Sequence, residues 1–459
     1  MARVLIAAAH KSSGKTSIAV GLSAALSERG LKVQPFKKGP DYIDPLWLSR
    51  AAGRACRNLD FHTMRRDEIT AMFVRHDGQV DISLIEGNKG LYDGVDLEGC
   101  DGNAALAGLL AAPVVLVIDT TGMTRGVAPL VLGYRDFDAS IDIKGVILNK
   151  VGGPRHEGKL RAALDHYTDV PVLGAIQRDS ALEIPERHLG LEPANETERA
   201  DEVIDQLRGA VSAQVDLDRI VEIANAAARL TAQTLEAPCA PTSVPDVRIA
   251  IAHDAAFGFY YPDDLDAFAR AGATLVPFDA IHDAHLPNCD GVFIGGGFPE
   301  TQMEGLSANA TLRRAIRDAI LNGMPAYAEC GGLMYLARGI EWRGERHDMC
   351  GVIPADIVVE RRPQGRGYGV LAETGQGLWA SLTGDRGAST IQAHEFHYAR
   401  IENLPEGQTY AYCVQRGAGV DGEHDGLVIG NLLASFMHLR DLRDTPWVNA
   451  FVDFVRSKQ

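Results

Sequence analysis

The chain has 459 residues, of which 46% are hydrophobic and 23% are charged, and its formal net charge at pH 7 is −16. The length predicts two or three domains, and the negative charge argues against nucleic acid as a partner. No apolar run approaches the about 20 residues that cross a bilayer, and seven cysteines without framework spacing suit a reducing compartment, so we expect a cytoplasmic protein without membrane contact.

The first 190 residues alternate apolar strands with helical stretches, which is typical of a parallel α/β sheet. The predicted strands are Val4–Ala8, Lys32–Phe36, Ile82–Ile85, Val114–Ile118, Gly145–Leu148 and Val172–Ile176. Alanine-rich helical sequence follows from Ala200 to Leu235, and the segment from Ala237 to Pro245 is rich in proline and small residues. We therefore predict a first domain over 1–192 and a helical segment with an interdomain linker over 193–245.

A second αβ series begins after the predicted linker. Its predicted strands are Val247–Ala252, Thr274–Pro277, Gly291–Ile294, Ala326–Ala328 and Gly426–Ile429. This series predicts a further domain over 246–459. The expected fold class is α/β, with two doubly wound αβ domains.

A phosphate-binding loop follows the first predicted strand. The segment reads His-Lys-Ser-Ser-Gly-Lys-Thr from residue 10 to residue 16, and an apolar helix comes next. In such loops backbone N–H groups cradle phosphates, the lysine reaches the β- and γ-phosphates, and the threonine hydroxyl binds Mg²⁺. Ala9 stands where the first glycine of the motif is usual. The predicted residues for ATP and Mg²⁺ are Ser13, Gly14, Lys15 and Thr16.

Charged residues also stand at the ends of two other predicted strands, where the ligand loops of open parallel sheets lie. Lys37 and Lys38 offer contacts to phosphate or carboxylate, and Asp41 and Asp44 offer ligands for a metal ion. Glu86 ends a buried strand, as expected for a second Mg²⁺ contact beside a phosphate loop.

Asn149 ends a further predicted strand, Val146-Ile-Leu-Asn149. Two interpretations of this asparagine stay open. Its amide could read the edge of the adenine ring, or it could cap a neighbouring backbone segment.

A candidate nucleophile lies in the segment from Ala326 to Leu336, which reads AYAECGGLMYL. The order is a strand, a sharp turn with a thiol at Cys330, and a helix. A nucleophile on such an elbow is exposed beside a helix N-terminus, whose dipole favours thiolate. The alternative is a buried structural cysteine before a Gly-Gly turn.

The thiol needs a base and an oxyanion hole. His438 follows a strand-like segment closely enough to reach the elbow, and a Cys–His pair would move the proton to a leaving amine. A structural histidine is the alternative at this position. Backbone N–H groups could bind the oxyanion at Gly331 and in the Gly-Gly-Gly loop, at Gly296 and Gly297.

The two chemistries fit together in one reaction. Thiol chemistry on glutamine gives a thioester and releases ammonia. ATP chemistry on a carboxylate gives an acyl phosphate, which ammonia can attack. The combination predicts amide formation without a redox cofactor.

Several segments together point to one family. They are the Ser-Gly-Lys-Thr loop, Gln34–Asp44, Arg57–Asp60, Glu86–Gly94, Cys330–Met334 and His394–Tyr398. With these motifs the chain resembles the cobyrinate a,c-diamide synthases over essentially its whole length. The resemblance implies a dethiobiotin-synthetase-like ATP domain fused to a class I glutamine amidotransferase domain. It also implies amidation of the a and c acetate side chains of a tetrapyrrole, with ATP, Mg²⁺ and glutamine.

The resemblance also implies residue roles. Cys330 is the nucleophile and His438 its base, while Lys15, Thr16 and Glu86 serve ATP and Mg²⁺. The lysines Lys37 and Lys38, with Tyr42, would face the tetrapyrrole. Many class I amidotransferases have a glutamate two residues after the histidine, but Arg440 stands there, and Glu395 is a candidate for the missing acid.

A basic element distinguishes this chain from the usual cobyrinate enzymes. It runs from Arg361 to Tyr368 as Arg-Arg-Pro-Gln-Gly-Arg-Gly-Tyr, and it resembles relatives that amidate sirohydrochlorin or siroheme. Arg361 and Arg366 could pair with additional ring carboxylates. The expected substrate is therefore a sirohydrochlorin-type ring, ahead of cobyrinate or hydrogenobyrinate.

Other classes explain less of the sequence. A partitioning or assembly ATPase would not use Cys330, and a free-standing glutaminase would not need the lysine-rich loop at Lys37. Cobyric acid synthase carries other versions of the shared motifs. A homodimer is one assembly that the sheet edges of such domains would allow.

Overall fold

The structure of the chain is a computed structural model that describes residues 1–187, 190–197, 199–230, 245–379, 381–382 and 390–459. It divides into two compact units, Met1–Ala237 and Pro238–Gln459. Of the predicted linker and the helical sequence before it, residues 231–244 lie outside the described residues. Among the described residues, no helix has the length and apolar content needed to cross a membrane.

The first unit is built on a seven-stranded sheet with the order β3-β2-β4-β1-β5-β6-β7. Every neighbouring pair in it is parallel. Its strands are β1 (Arg3–Ala8), β2 (Val33–Lys38), β3 (Arg57–Leu59), β4 (Ile82–Glu86), β5 (Val114–Asp119), β6 (Ile143–Val151) and β7 (Val172–Gln177), and a short antiparallel pair follows, β8 (Glu186–Arg187) and β9 (Gly190–Leu191). All six residues of β1 are buried, as expected for a central strand covered on both faces.

Helices cover this sheet. They are α1 (Lys15–Glu28), α2 (Ile43–Ala52), α3 (Arg66–Asp77), α4 (Asn103–Leu109), α5 (Val127–Phe137), α6 (Pro154–Tyr167), α7 (Ala200–Gln214) and α8 (Leu217–Asn225), with a 3₁₀ turn at Ser180–Leu182. Gly21 in α1 lets α7 approach closely, because an added Cβ would lie 2.9 Å from the Leu207 carbonyl oxygen. The helical character predicted after Ala200 is thus confirmed within the described residues.

The second unit contains a nine-stranded mixed sheet with the order β11-β10-β12-β13-β22-β21-β20-β17-β18. The strands from β11 to β22 in this order are parallel, and the remaining pairs are antiparallel. Its strands are β10 (Val247–Ala252), β11 (Ala273–Phe278), β12 (Gly291–Ile294), β13 (Ala326–Glu329), β17 (Gly365–Glu373), β18 (Ile391–His397), β20 (Thr409–Arg416), β21 (His424–Ile429) and β22 (Leu432–Ser435).

A smaller sheet and the remaining helices complete this unit. The small sheet has the order β15-β14-β16-β19, with β14 (Gly339–Trp342), β15 (Glu345–Asp348), β16 (Asp356–Val359) and β19 (Ala399–Glu402). The helices are α9 (Pro262–Arg270), α10 (Met303–Ala308), α11 (Ala310–Leu321), α12 (Gly331–Leu336) and α13 (Trp447–Arg456), with a 3₁₀ turn at Pro299–Thr301. The predicted α/β class is confirmed in both units. The strands β17, β18 and β20 were not predicted, and the predicted strand Gly426–Ile429 belongs to β21, which is antiparallel to both of its neighbours.

Candidate active site

The predicted phosphate loop connects β1 to the first residue of α1. Ser12 and Gly14 adopt positive φ values of 64° and 85°, a backbone conformation found in anion-binding concavities. The Ser13 hydroxyl donates to the His10 carbonyl oxygen over 2.8 Å and closes the loop. The first turn of α1 therefore begins directly at the loop, as in phosphate sites at helix N-termini.

Asn149, at the end of β6, contacts this loop. Its Nδ2 donates to the Ser13 carbonyl oxygen over 2.9 Å. A Cβ added to Gly14 would lie 2.2 Å from the same Nδ2, so only glycine fits there. Of the two interpretations of Asn149, the geometry favours the backbone-binding one, since the amide is engaged with the loop.

Four of the predicted metal and phosphate residues meet near the ends of β2 and β4. The Thr16 hydroxyl donates to Glu86 Oε1 over 2.8 Å and lies 3.3 Å from Asp44 Oδ2. Lys37 Nζ lies 3.1 Å from the same Glu86 oxygen and also pairs with Asp44. One lysine, two carboxylates and one hydroxyl thus share a single small volume.

This cluster fits a divalent cation. Glu86 is fully buried, and its Oε2 has no hydrogen-bond partner within the described part of the chain. Burial raises the pKa of the Glu86 carboxyl, and the positive charge of Lys37 offsets part of this shift. Carboxylate and hydroxyl oxygens are the ligands that Mg²⁺ prefers, so Thr16, Asp44 and Glu86 form a suitable donor set.

Asp41 is held differently from the other predicted metal ligands. Its Oδ1 accepts the Ile43 N–H over 2.9 Å at the start of α2, and Lys37 Nζ is 3.9 Å from its other oxygen. Burial, and then Asp44, raise the pKa of Asp41. The neighbouring Tyr42 is buried. The main contact of Asp41 is therefore with the backbone at the start of α2 rather than with Thr16.

The three lysines around the loop differ in charge environment. Burial, and then Lys37, lower the pKa of Lys15 to about 8. Burial lowers the pKa of Lys37, but the negative charges of Asp44 and Glu86 outweigh this effect and raise the Lys37 pKa overall. Lys38 points to the other face of β2, where burial lowers its pKa and Asp60 opposes the shift. The two adjacent lysines therefore do not act on the same groups.

Two polar residues that the sequence did not single out hold the loop after β4. Asn103 accepts the Asn88 N–H over 3.0 Å, and its amide donates to the Gly90 carbonyl oxygen over 2.6 Å. The Tyr134 hydroxyl donates to the Ala9 carbonyl oxygen, and the Tyr134 carbonyl oxygen accepts the Tyr92 hydroxyl over 2.8 Å. The segment after Glu86 is thereby fastened beside the phosphate loop. An asparagine at the start of a helix was the available sequence signal.

In the second unit Cys330 lies on the predicted elbow between β13 and α12. Its φ of 48° is a left-handed value that is rare outside glycine, and such backbone costs about 1–3 kcal/mol. The Cys330 N–H donates to the Ser435 carbonyl oxygen over 2.7 Å. The thiol is 5% exposed and lies 3.9 Å from the Phe396 carbonyl oxygen. The structure thus holds the cysteine in the strained turn that its flanking sequence predicts.

The charge state of the thiol differs from the sequence-based expectation. Burial, and then the carboxylate of Glu300, raise the pKa of Cys330 well above its usual value. The Gly331 N–H opposes this shift through a hydrogen bond. Burial therefore favours the neutral thiol at Cys330, in contrast to the thiolate that the sequence predicts beside a helix N-terminus.

The three predicted oxyanion-hole glycines pack around this elbow. A Cβ added to Gly331 would lie 3.0 Å from the Gly297 nitrogen. A Cβ added to Gly296 would lie 2.5 Å from His438 Cε1. The glycine loop after β12 thus contacts the turn that carries Cys330 on one side and the imidazole of His438 on the other.

Two buried carboxylates that the sequence did not single out contact the segment that carries His438. Glu329 Oε2 lies 3.4 Å from His438 Nδ1. Asp425 accepts the Phe436 N–H over 3.0 Å and the Ser435 hydroxyl over 2.7 Å. An acid directly before the nucleophile was the available signal for Glu329.

The other predicted residues of this unit make different contacts, although Glu395 directly precedes Phe396, whose carbonyl oxygen faces the Cys330 thiol. Glu395 accepts the Ala418 N–H over 2.7 Å and the Gly419 N–H over 3.1 Å. Arg361 and Arg366 are exposed, and Arg366 lies over the Phe396 ring, 5.9 Å from its centroid. The arginines therefore offer two cations to solvent in the unit that holds Cys330.

Family models match both halves of the chain. Residues 4–191 match the CobQ/CobB/MinD/ParA nucleotide binding domain, and residues 248–445 match the CobB/CobQ-like glutamine amidotransferase domain. The first match contains the phosphate loop, and the second contains Cys330 and His438.

Curated relatives align over nearly the full length. A protein of Magnetococcus marinus named cobyrinate a,c-diamide synthase is 46% identical, over 99% of this chain and 97% of the relative. Proteins of the same name from Methanosarcina acetivorans and Archaeoglobus fulgidus are 42% and 39% identical. These alignments cover 95% and 100% of this chain, and 92% and 98% of the relatives.

Proposed function

Because the chain belongs to the cobyrinate a,c-diamide synthase family, and is thus an ATP-dependent, glutamine-hydrolysing amide ligase, we propose that it amidates acetate side chains of a tetrapyrrole through an acyl phosphate. The observation that carries this proposal is the meeting of Thr16, Lys37 and Glu86 beside the phosphate loop. These groups form a site for a triphosphate and a carboxylate together.

In the first unit the proposed step is phosphoryl transfer. The acetate oxygen of the ring attacks the γ-phosphorus, the bond from that phosphorus to the bridging oxygen breaks, and ADP leaves. Lys15 balances charge on the phosphates, and Lys37 reduces repulsion between the anionic ring and ATP. Mg²⁺ held by Thr16, Asp44 and Glu86 would supply positive charge at the β- and γ-phosphates.

In the second unit the proposed step is glutamine hydrolysis. His438 takes the thiol proton of Cys330 as the Cys330 sulfur attacks the amide carbon. His438 then returns that proton to the departing ammonia. Backbone N–H groups of Gly297 and Gly331 hold the oxyanion. Water then releases glutamate from the thioester. The ammonia attacks the acyl phosphate, from which inorganic phosphate leaves.

Two candidate substrates are supported by different observations. Cobyrinate is the first candidate, since the relatives that align with 92% or more of their length carry that name. A sirohydrochlorin-type ring is the second, favoured by the exposed Arg361 and Arg366, which could pair with ring carboxylates.

The deciding experiment offers cobyrinate, sirohydrochlorin and siroheme separately, with ATP, Mg²⁺ and glutamine. Products are followed by mass spectrometry. Double amidation of cobyrinate supports the first candidate, and amidation of a sirohydrochlorin-type ring alone supports the second. ATP hydrolysis that is independent of every ring carboxylate would contradict both and favour an ATPase of another class.

We propose further that the chain forms a homodimer in solution. Light scattering on the purified chain gives its mass in solution. A mass of two chains is expected, and a mass of one chain over the working concentration range would contradict it.

A further inference from the structure

We infer that Glu329 is the carboxylate that orients His438, in place of the glutamate that class I amidotransferases carry two residues after the histidine. This inference rests on the proposed roles of Cys330 and His438. It assigns Glu329 as a positioning residue, which acts through the imidazole without contacting glutamine.

The carboxylate of Glu329 is fixed on one side and open to the imidazole on the other. Its Oε1 accepts the Leu439 N–H over 3.0 Å and the Tyr327 hydroxyl over 2.6 Å. Its Oε2 lies 3.4 Å from His438 Nδ1. Glu329 is 4% exposed and His438 is 3% exposed, so water screens the pair little.

The chain places this carboxylate at the junction of the two proposed catalytic residues. Glu329 directly precedes Cys330, and Leu439 directly follows His438. In the parallel pairing of β13 with β22, Glu329 stands opposite Ser435, three residues before the histidine. A single side chain therefore fixes the distance between the nucleophile's strand and the base.

This arrangement selects one form of the imidazole. A carboxylate at Nδ1 favours the tautomer with the proton on Nδ1, which leaves Nε2 free of a proton and able to accept one from a thiol. The carboxylate also stabilises the imidazolium that forms when the thiol is deprotonated. Because burial favours the neutral thiol at Cys330, the imidazole is placed to accept this proton during the reaction.

The other charged groups near His438 are held by different partners. Asp425 accepts backbone N–H groups of Phe436 and Met437, and Glu395 accepts those of Ala418 and Gly419. The ring of His394 lies 5.9 Å from the ring of His438, and the two residues pair through their backbones.

Arg440, in the position of the usual glutamate, faces Asp263 over 3.6 Å. Glu329, by contrast, places a carboxylate oxygen within 4 Å of His438 Nδ1.

The test compares Glu329→Gln with Glu395→Gln in the full-length enzyme, with glutamine and with an ammonium salt as nitrogen donors. A glutamine side chain can still accept from Leu439 N–H, but its NH₂ would face Nδ1 and favour the wrong tautomer. We expect Glu329→Gln to lower glutamine-driven turnover by about 10²- to 10⁴-fold and to leave ammonium-driven turnover unchanged. Glu329→Asp should restore part of the loss, Glu395→Gln should cost less than Glu329→Gln, and Glu341→Gln, at an exposed glutamate on β14, should leave turnover unchanged.

Two further variants separate the inference from the function on which it rests. If Cys330→Ser and His438→Ala keep glutamine-driven activity, the proposed function fails. If those variants lose activity but Glu329→Gln keeps it within tenfold of the wild type, only the inference fails. Equal losses with glutamine and ammonium in Glu329→Gln would also overturn it, because they indicate a purely structural role.

The unmodified enzyme gives an independent readout that does not depend on the folding of a variant. Nitrogen NMR of histidine-labelled protein distinguishes the two imidazole tautomers, and His438→Gln identifies the signal of His438. We expect the proton on Nδ1. A proton on Nε2 in the resting enzyme at neutral pH would overturn the assignment of Glu329.

Discussion

The amide of Asn149 donates to the Ser13 carbonyl oxygen over 2.9 Å, so the end of β6 is fastened to the phosphate loop. The same amide lies against Gly14, where no side chain would fit. Asn149 therefore holds the backbone of the phosphate loop in place, and this contact would be the same for the phosphates of any nucleotide.

The role of Asn149 can be tested by removing its amide. Asn149→Ala should weaken ATP binding by about 2- to 12-fold, the effect of one lost hydrogen bond. Because the contact is to the loop, inorganic triphosphate should lose affinity by the same factor. Calorimetric titrations with both ligands check this, and a loss confined to ATP would instead mean that Asn149 reads adenine.

The pKa of about 8 at Lys15 predicts a pH dependence of ATP binding in the free enzyme. Lys15 is a cation below this pKa and neutral above it, so affinity should fall as pH rises through 8 and beyond, by up to about tenfold per unit. Titrations between pH 6.5 and 9.5 measure it. Lys15→Arg stays charged and should give a flatter profile, whereas a flat profile in the wild type would contradict the prediction.

Cys330→Ser should separate the two halves of the reaction. Glutamine-driven amidation should fall by at least about 10³-fold, because the nucleophile is gone, while ammonium-driven amidation persists, because ATP chemistry lies in the other unit. Cys350→Ser is the matched control, since Cys350 is also buried in the second unit. Loss with both nitrogen sources in Cys330→Ser would argue against separate sites.

Gly296→Ala should disable the base without changing the histidine itself. The new Cβ would lie 2.5 Å from His438 Cε1 and displace the imidazole, and a displacement of about 1 Å costs about 10²-fold in rate. Steady-state glutaminase assays measure the effect. Gly377→Ala is the control, because its added Cβ would meet Ala411 at an ordinary 3.6 Å. Equal activity of both variants would place His438 outside the reaction.

The exposed arginines predict a selective effect on the ring substrate. Arg361→Ala with Arg366→Ala should raise the KM for the tetrapyrrole by about tenfold or more, from the loss of charge-assisted hydrogen bonds, and leave the KM for ATP unchanged. Arg314→Ala, an exposed arginine on α11, should have no effect. Equal changes in both KM values would remove the arginines from ring recognition.

Local sequence signals were sufficient to predict the strand–loop–helix segments at Lys15 and at Cys330. The strand before Lys15 and the helix after it predicted the loop between β1 and α1, and the apolar run before Cys330 predicted its elbow. Each signal spans about a dozen residues, so the chemistry and the local fold are encoded together. The strands of the parallel sheets were predicted for the same reason, since both faces are buried and the sequence is continuously apolar.

Long-range pairings were not predictable from the same signals. Glu329 and His438 are more than a hundred residues apart in the chain, and their contact depends on β22 pairing with β13. The position of Glu395, the acid expected from the sequence, depends in the same way on how its strand β18 pairs with its neighbours, and no local pattern in the sequence shows that register. Of the antiparallel strands, β21 was predicted from its apolar segment Gly426–Ile429. The strands β17, β18 and β20 were missed because they are partly exposed and carry polar side chains, as in β18, where buried and partly exposed residues alternate.

The position of β22 also determines the order in which the second centre can assemble. This strand lies between β13 on its parallel side and β21 on its antiparallel side, although the ribosome makes it after both. Until β22 inserts, the strand that carries the nucleophile has no partner on that side, and the histidine that follows β22 is not in place. A growing chain thus carries Cys330 for about a hundred residues before β22 is made, so the proposed catalytic pair can form only after β22 has joined the two halves of the sheet.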